Sequence, residues 1–390
     1  MGLGVGMGLN MLLLVAMVAT NIFSLYHLAS IRNPPNPPAP PVPDHLLRHL
    51  STIRATITHL AARHASAASA AGNAAIPPEL IRYTAERRLP LGRSVVTEQD
   101  IFPFSVGTAC QSHPDLLSRF MNYTAFKPCP DDADLAESLM VHGCFPLPRR
   151  RCFSLTAPKS PSSLPTNPFP SSLPAAAVRW SRFTCKSFDC LTRLGRPGFD
   201  LSIDSPKWME QSDATGLTIP VFFKYVQAAN SGPIRLGLDI GGGTGTFAAR
   251  MKERNVTVVS TTLDLGAPYN EVMALRGLVP LHLTMQQRFP LFDGMMDVVH
   301  CDRAVNRWIP VTTMEFLFFD IDRVLRGGGI LWIDHFFCKA VDLNKVYAPL
   351  IGKLGYRRLK WVTGNKTDVG GAKYGEVYLS AILQKPIKSS

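Results

Sequence analysis

Hydrophobic and polar positions divide the chain into stretches of different character. Met1 to Ile31 carries no charged side chain, and its densest apolar part is Leu9 to Leu28. A helix of about 20 residues crosses the roughly 30 Å hydrocarbon layer, so this pattern predicts one membrane helix over about 9–28. The alternative is a cleaved signal peptide, which wants a positive start and a shorter apolar stretch; the first Lys, Arg, Asp or Glu is Arg32. Asn33 to Pro43 breaks the pattern, with seven prolines in the ten residues from Pro34 to Pro43. Such a segment is extended. His45 to Ala71 then reads as a helix, because Leu46, Leu50, Ile53, Ile57 and Leu60 recur at helical spacing. That seam is too short for a coiled coil and predicts a solitary stem helix. From Ile234 onward, short apolar runs alternate with helical spacing. Strands are predicted at 235–240, 256–262, 279–283, 297–300, 330–333, 356–362 and 376–383. A helix opens at Phe247, and another over Met314 to Leu325 stops at Gly327-Gly-Gly329. Alternation of this kind means a mainly parallel sheet covered on both faces, an α/β fold.

Composition adds limits. The 390 residues are 46% hydrophobic with a formal net charge of +12. The basic excess is +6 on each side of Ser205, which argues against a dedicated nucleic-acid arm. Between Val95 and Ser205 lie Cys110, Cys129, Cys144, Cys152, Cys185 and Cys190. They show no zinc-finger spacing. In an oxidising compartment they could form up to three bridges; in the cytosol they would be ordinary thiols. Arg149-Arg150-Arg151 reads as a solvated surface run, with an acidic ligand as the alternative. Pro158 to Pro174 reads as a loop. The divisions are 1–32, anchor; 33–94, linker and stem; 95–205, the Cys-bearing segment; 206–390, the sheet domain.

Orientation stays open on charge. The positive-inside rule places Arg32 in the cytosol, and the folded part with it. Three acceptor triplets for N-glycosylation, at Asn122, Asn255 and Asn365, point the other way. About two such triplets are expected by chance.

The chemistry sits in the turn Asp239-Ile-Gly241-Gly-Gly243-Thr-Gly245 between a strand and a helix. Glycines there let the backbone approach a ligand closely. A P-loop would need Gly-Lys-Ser/Thr, and Thr246-Phe247 follows Gly245 instead. A nicotinamide fingerprint fits only when counted from Gly243, with Ala248 in the last place. A second acid, Asp264, lies 19 residues past Gly245 at the end of the next strand, where it can accept hydrogen bonds from ribose hydroxyls. With this set stand Phe289-Pro-Leu-Phe-Asp-Gly-Met-Met-Asp297 and Asp322-Arg-Val-Leu-Arg-Gly-Gly-Gly-Ile-Leu-Trp-Ile-Asp334.

These residues resemble the class I S-adenosyl-L-methionine-dependent methyltransferases. The run Pro-Leu-Pro-Arg-Arg-Arg-Cys152, the glycine turn and Leu-Trp-Ile-Asp-His-Phe-Phe-Cys338 are similar to a plant methyltransferase family of Golgi type II membrane proteins with lumenal catalytic domains. The resemblance implies a Rossmann-like seven-stranded, mainly parallel sheet and S-adenosyl-L-methionine as cofactor. It also implies a single-pass anchor, lumenal exposure, glycosylation and disulfides. Asp239, Gly241, Gly243 and Gly245 would border the methionyl part and Asp264 would hold the ribose. Met285 would pack the adenine and Gln286 would hydrogen-bond it, where many relatives have an acid.

Polar residues at strand ends offer His300, Asp302, Asp334 and His335, of which His335 is the candidate base. The alternative for His335 is a loop-fixing role. No metal-ligand cluster is visible in the sequence. The basic balance and the implied lumenal site suit an acidic polysaccharide or other glycan as methyl acceptor, with no nucleic-acid partner. The competing readings are an inactive scaffold of the same fold and a cytosol-facing enzyme acting on small molecules or proteins.

Overall fold

A computed structural model describes residues 17–27, 76–84, 106–157, 164–211, 213–368 and 371–387. The chain divides into two units, 1–75 and 76–390. In the first, residues 17–27 are helical. The rest of the expected 9–28 helix, the proline-rich linker and the stem helix lie outside the described residues. Among the described residues, no helix is long and apolar enough to cross a membrane.

The second unit contains one seven-stranded sheet. Its strands are β1 (Leu236–Ile240), β2 (Thr257–Thr262), β3 (Val279–His282), β4 (Met296–Cys301), β5 (Leu325–Lys339), β6 (Arg357–Asn365) and β7 (Glu376–Gln384). The order is β3-β2-β1-β4-β5-β7-β6. The β1, β2, β3, β4 and β5 strands run parallel, and β7 runs antiparallel between β5 and β6. Strand order therefore reverses between β1 and β4, which opens a crevice at their carboxyl ends.

The helices that position the site are, in chain order, α1 (Pro78–Thr84), α2 (Pro114–Met121), α3 (Ala133–Val141), α4 (Ile219–Ala228), α5 (Thr246–Lys252), α6 (Tyr269–Leu275) and α7 (Val311–Val324). Side chains alternate across each strand, and each face meets its own helices. Val299, Cys301, Leu331 and Ile333 pack with Met314, Leu317, Phe318 and Ile321 of α7. Val298, Ile330 and Trp332 face the other way, onto Ile219 and Phe222 of α4 and Phe247 of α5. Trp332 is fully buried and stacks on Phe222 at 4.8 Å. Removing such a ring costs about 3–5 kcal/mol.

β5 is longer than the sequence predicts. The pattern ends the helix at the Gly327–Gly329 run and places a strand over 330–333; instead β5 starts at Leu325 and runs through the glycines. Beyond Ile333 the register shifts, and Phe336 to Lys339 pair with β7. The partner strand, not the local pattern, carries β5 past Asp334 and His335.

The Cys-bearing segment has a small core of Cys110, Leu117, Phe120, Met121, Leu139 and Cys144. Its six cysteines form three bridges, Cys110–Cys144, Cys129–Cys152 and Cys185–Cys190. Arg150 and Arg151 are not a solvated run. Arg150 makes a bidentate bond to Asp132 at 2.9 and 2.7 Å. Arg151 reaches Glu79 of α1, whose carboxylate also accepts the Tyr123 hydroxyl at 2.7 Å.

Candidate active site

The turn after β1 is built by glycine geometry. Gly241, Gly243 and Gly245 have φ of 73°, 56° and 83°, the left-handed region where a side chain is strained. A Cβ on Gly241 would lie 2.3 Å from the Ala304 Cβ, and one on Gly245 would lie 2.7 Å from Leu278. A Cβ on Gly243 would meet nothing within 4 Å. The turn thus packs tightly on two sides and is open on the third. The buried guanidinium of Arg276 anchors it, donating to the Thr244 carbonyl at 2.8 Å and the Thr246 hydroxyl at 3.1 Å. Burial lowers the pKa of Arg276 to about 10.

The open side faces a cavity of about 730 Å³. Asp239, Gly241 and Gly243 line it, as do Met285 and Gln286. Gly245 does not; it serves the packing of the turn. Asp264 does not either, although its neighbours Leu263 and Leu265 do. Its Oδ1 instead accepts the Asn270 backbone N–H at 2.8 Å and side-chain N–H at 3.0 Å. It lines a separate space of about 330 Å³ with Glu137, His282 and Glu271. Burial, with Glu271 adding to it, pushes the Asp264 carboxyl up to about 7. Glu137 of α3 closes this group by accepting from the Asp264 backbone N–H at 2.6 Å and contacting His282 at 2.9 Å.

A ladder of acids and imidazoles crosses the carboxyl ends of β1, β4 and β5. Asp239 Oδ1 lies 2.8 Å from His300 Nδ1, and both side chains are buried. His300 Nε2 lies 4.0 Å from Asp334 Oδ2. The ring is stacked on Phe247, with centroids 3.7 Å apart. Burial alone would lower the His300 pKa, but Asp239 and Asp334 outweigh it and raise it to about 9. Asp334 also accepts from the Trp208 indole at 2.8 Å and the Ser380 hydroxyl at 3.2 Å. Burial opposes, but His300 and His335 hold its carboxyl well below the usual range.

His335 sits at the β5 register shift with a φ of 47°. Its Nδ1 is 2.9 Å from Asp334 and its Nε2 is 3.0 Å from Asp213. Both ring nitrogens are engaged, and His335 is not among the lining of the large cavity. Burial works against the charged ring, yet Asp334 and Asp302 raise its pKa. This geometry fits a group that fixes β5 better than a base that meets an acceptor. The fold brings ligand-type atoms of Asp302, Asp334 and His335 within 4.8 Å of one another, a juxtaposition the sequence did not reveal. His335 and Asp334 are already joined to each other and to protein partners. Asp302 is different: its Oδ1 is buried with no hydrogen-bond partner. Burial and Asp334 raise its pKa.

Residues before the sheet complete the cavity. Pro197, Gly198, Asp204, Lys207 and Trp208 line it. Asp204 accepts from the Thr246 hydroxyl and from Lys207. Gly198 approaches Thr244 so closely that a Cβ would clash with its hydroxyl. Sequence reasoning missed these residues and Arg276. They lie outside the glycine motif, and only the Gly198 position carried a local signal, a Pro-Gly turn.

Residues 218–339 match a protein family described as "Putative S-adenosyl-L-methionine-dependent methyltransferase". Over 395 residues the chain is 50% identical to an Arabidopsis thaliana protein named "Probable methyltransferase", covering 98% of this chain and 99% of that protein. The chain belongs to this plant S-adenosyl-L-methionine-dependent methyltransferase family. Membership accords with the sheet order and with a glycine turn that opens into the cavity. Among solved structures, a methyltransferase of Methanosarcina mazei is 11% identical, with 42% of this chain and 98% of that chain covered and a TM-score of 0.33. A geranyl diphosphate C-methyltransferase of Streptomyces coelicolor is 12% identical, with 43% and 80% covered and a TM-score of 0.32. At such scores these likenesses add nothing to the assignment, which rests on the plant relative.

Proposed function

We propose that the protein is a membrane-anchored methyltransferase of the Golgi lumen that methylates an acidic cell-wall polysaccharide or another glycan on oxygen. The observation that carries the transferase part is the 730 Å³ cavity at the strand-order reversal, floored by Asp239 and the open glycine turn. S-adenosyl-L-methionine supplies an electrophilic methyl group on a sulfonium. The residues present fit it. Gly241 and Gly243 admit close approach, and a side chain at Gly241 would collide with Ala304. Asp239, held by His300, would face the methionyl end, and Met285 and Gln286 would meet the adenine. Positioning by such walls supplies much of the barrier reduction.

Three bridges among six cysteines support an oxidising compartment. Asn122, Asn255 and Asn365 are all exposed, as glycosylation requires. The net charge of +12 suits an acidic acceptor. One observation favours the scaffold reading: the Asp264 carboxylate is turned to Asn270, away from the cavity. In the enzyme reading Asp264 would have to leave Asn270 to meet the ribose.

Purified full-length protein with labelled cofactor, presented with acidic cell-wall glycans, decides between them. Label in a glycan supports the enzyme reading. No transfer to any glycan removes the acceptor class, and no binding of S-adenosylhomocysteine removes the enzyme. An endoglycosidase mobility shift on protein from plant membranes supports a lumenal domain; its absence with free thiols at all six positions supports a cytosolic one.

A further inference from the structure

Beside the large cavity lies a smaller one. Its volume is about 80 Å³, and Lys207, Trp208, Asp302 and Arg303 line both. Asp334 and His335 line this smaller space and not the large one. At that volume it admits one or two water-sized groups and no sugar ring.

Most of the charged groups that line the two spaces are already engaged. Asp239 is paired with His300, and Asp204 with Thr246 and Lys207. Asp334 accepts from Trp208 and Ser380, and His335 is held at both nitrogens. Two groups on the shared wall differ. Asp302 Oδ1 has no hydrogen-bond partner although it is buried, and 29% of the side chain remains exposed. Its nearest ion-pair contact is His335 Nδ1, at 3.9 Å. Arg303, an exposed residue, donates from Nε to Tyr378 Oη at a long 3.4 Å, with the Tyr378 ring 5.5 Å from its guanidinium. Among the described residues its two terminal nitrogens have no hydrogen-bond acceptor.

We propose that this shared wall is the methyl-acceptor site and that it selects a hydroxyl of an anionic sugar, with Arg303 binding the sugar's carboxylate and Asp302 acting as general base. The inference rests on the methyltransferase reading and narrows its acceptor. A fork of guanidinium donors matches a carboxylate. An unpartnered carboxylate oxygen beside the reacting atom favours a nucleophile that brings a proton. A second carboxylate there would set like charges in contact at low dielectric; a hydroxyl would donate a hydrogen bond. The hydroxyl oxygen forms a bond to the methyl carbon, the carbon–sulfur bond breaks with its electron pair going to sulfur, and the hydroxyl proton passes to Asp302. The products are a methyl ether, S-adenosylhomocysteine and a protonated Asp302 that returns its proton to solvent. The carboxylate of the sugar stays free, so the product is an ether and not an ester.

The test uses full-length protein and galacturonate and glucuronate oligosaccharides, with neutral galactose oligosaccharides as the control. In calorimetry on protein saturated with S-adenosylhomocysteine, a uronate oligosaccharide binds and the neutral one does not. Arg303→Met weakens uronate binding at least tenfold, and Arg303→Lys weakens it less. Asp302→Asn leaves uronate binding within threefold but lowers methyl transfer at least a hundredfold, the range general bases supply. All three variants bind S-adenosylhomocysteine as the parent does. Label transferred to the uronate resists mild alkali. Label released as methanol marks an ester and overturns the proposal. Equal use of neutral sugars, uronate binding indifferent to Arg303, or Asp302→Asn with parental transfer overturns it too. Loss of transfer in chelator, restored by a divalent cation, makes Asp302 a cation-holding group and overturns its role as base. Failure of the parent to bind S-adenosylhomocysteine strikes the methyltransferase reading itself; cofactor binding without uronate binding strikes only this acceptor site.

Discussion

Replacing Asp239 by Asn keeps the shape of the turn and removes one charge from the buried ladder. Asp239 Oδ1 is 2.8 Å from His300 Nδ1, with 3% and 1% of the two side chains exposed. His300 is lifted from its ordinary 6.5 to about 9 against the opposing effect of burial, with Asp239 the first of the groups that raise it and Asp334 the next. That lift corresponds to about 3 kcal/mol between charged and neutral ring. The carboxamide in Asp239→Asn could still accept the Nδ1 hydrogen but could not balance its charge, so the expected cost is about 2–3 kcal/mol, at or below the lower limit for a broken buried pair because the hydrogen bond survives. Spread over the 315 residues of the second unit, this lowers Tm by about 3–5 °C. The pH dependence is the sharper signature. A histidine raised in the folded state gives stability that is full below pH 6.5 and lost as pH rises through about 9. The gap between parent and Asp239→Asn is therefore widest near pH 6 and closes above pH 9. Thermal melts of both proteins from pH 5.5 to 9.5 measure it. Equal melting at pH 6, or a gap that does not change with pH, refutes a charged His300 held by Asp239.

Asp264→Asn should act in the opposite sense. Its folded value of about 7 lies above the ordinary 3.8, so the acid costs stability increasingly as pH rises between those values. The variant gains on the order of 4 kcal/mol at pH 8 and less than about 1 kcal/mol at pH 4, by denaturant titration. Gly241→Ala places a Cβ 2.3 Å from Ala304 at a φ of 73°, and should weaken S-adenosylhomocysteine binding at least tenfold by calorimetry. Arg276→Met removes the donor to the Thr244 carbonyl and should weaken the same binding while leaving the three disulfides intact by mass mapping. Reduction of Cys129–Cys152, whose sequence separation is 23, should cost about 3 kcal/mol in the Cys-bearing segment, read as faster proteolysis around residues 126–153.

The sheet was legible in the sequence because each strand is short, apolar and bounded by turn residues, and the predicted starts of β2 and β4 fall within one residue of the structure. β5 was underestimated because its second half is extended by pairing with β7, contacts 37 to 43 residues away in the chain. The glycine turn was legible from local spacing, and the structure places Asp239, Gly241, Gly243, Met285 and Gln286 on one cavity. Asp264 looked like a ribose ligand from its position after β2, but a side chain's direction depends on its neighbours, here Asn270 and Glu137. His335 looked like a base because a histidine after an acid at a strand end is available in sequence; only the fold shows Asp213 and Asp334 occupying both nitrogens. Trp208 and Asp334, 126 residues apart, gave no sequence signal of their contact.

Whether this cavity receives the cofactor can be decided by titrating S-adenosylhomocysteine into the full-length protein in a calorimeter. One molecule should bind per chain, and Gly241→Ala should reduce the affinity at least tenfold with the fold intact by circular dichroism. No heat from the parent protein, or heat unchanged by Gly241→Ala, would contradict the assignment of Asp239 and the glycine turn as the cofactor floor.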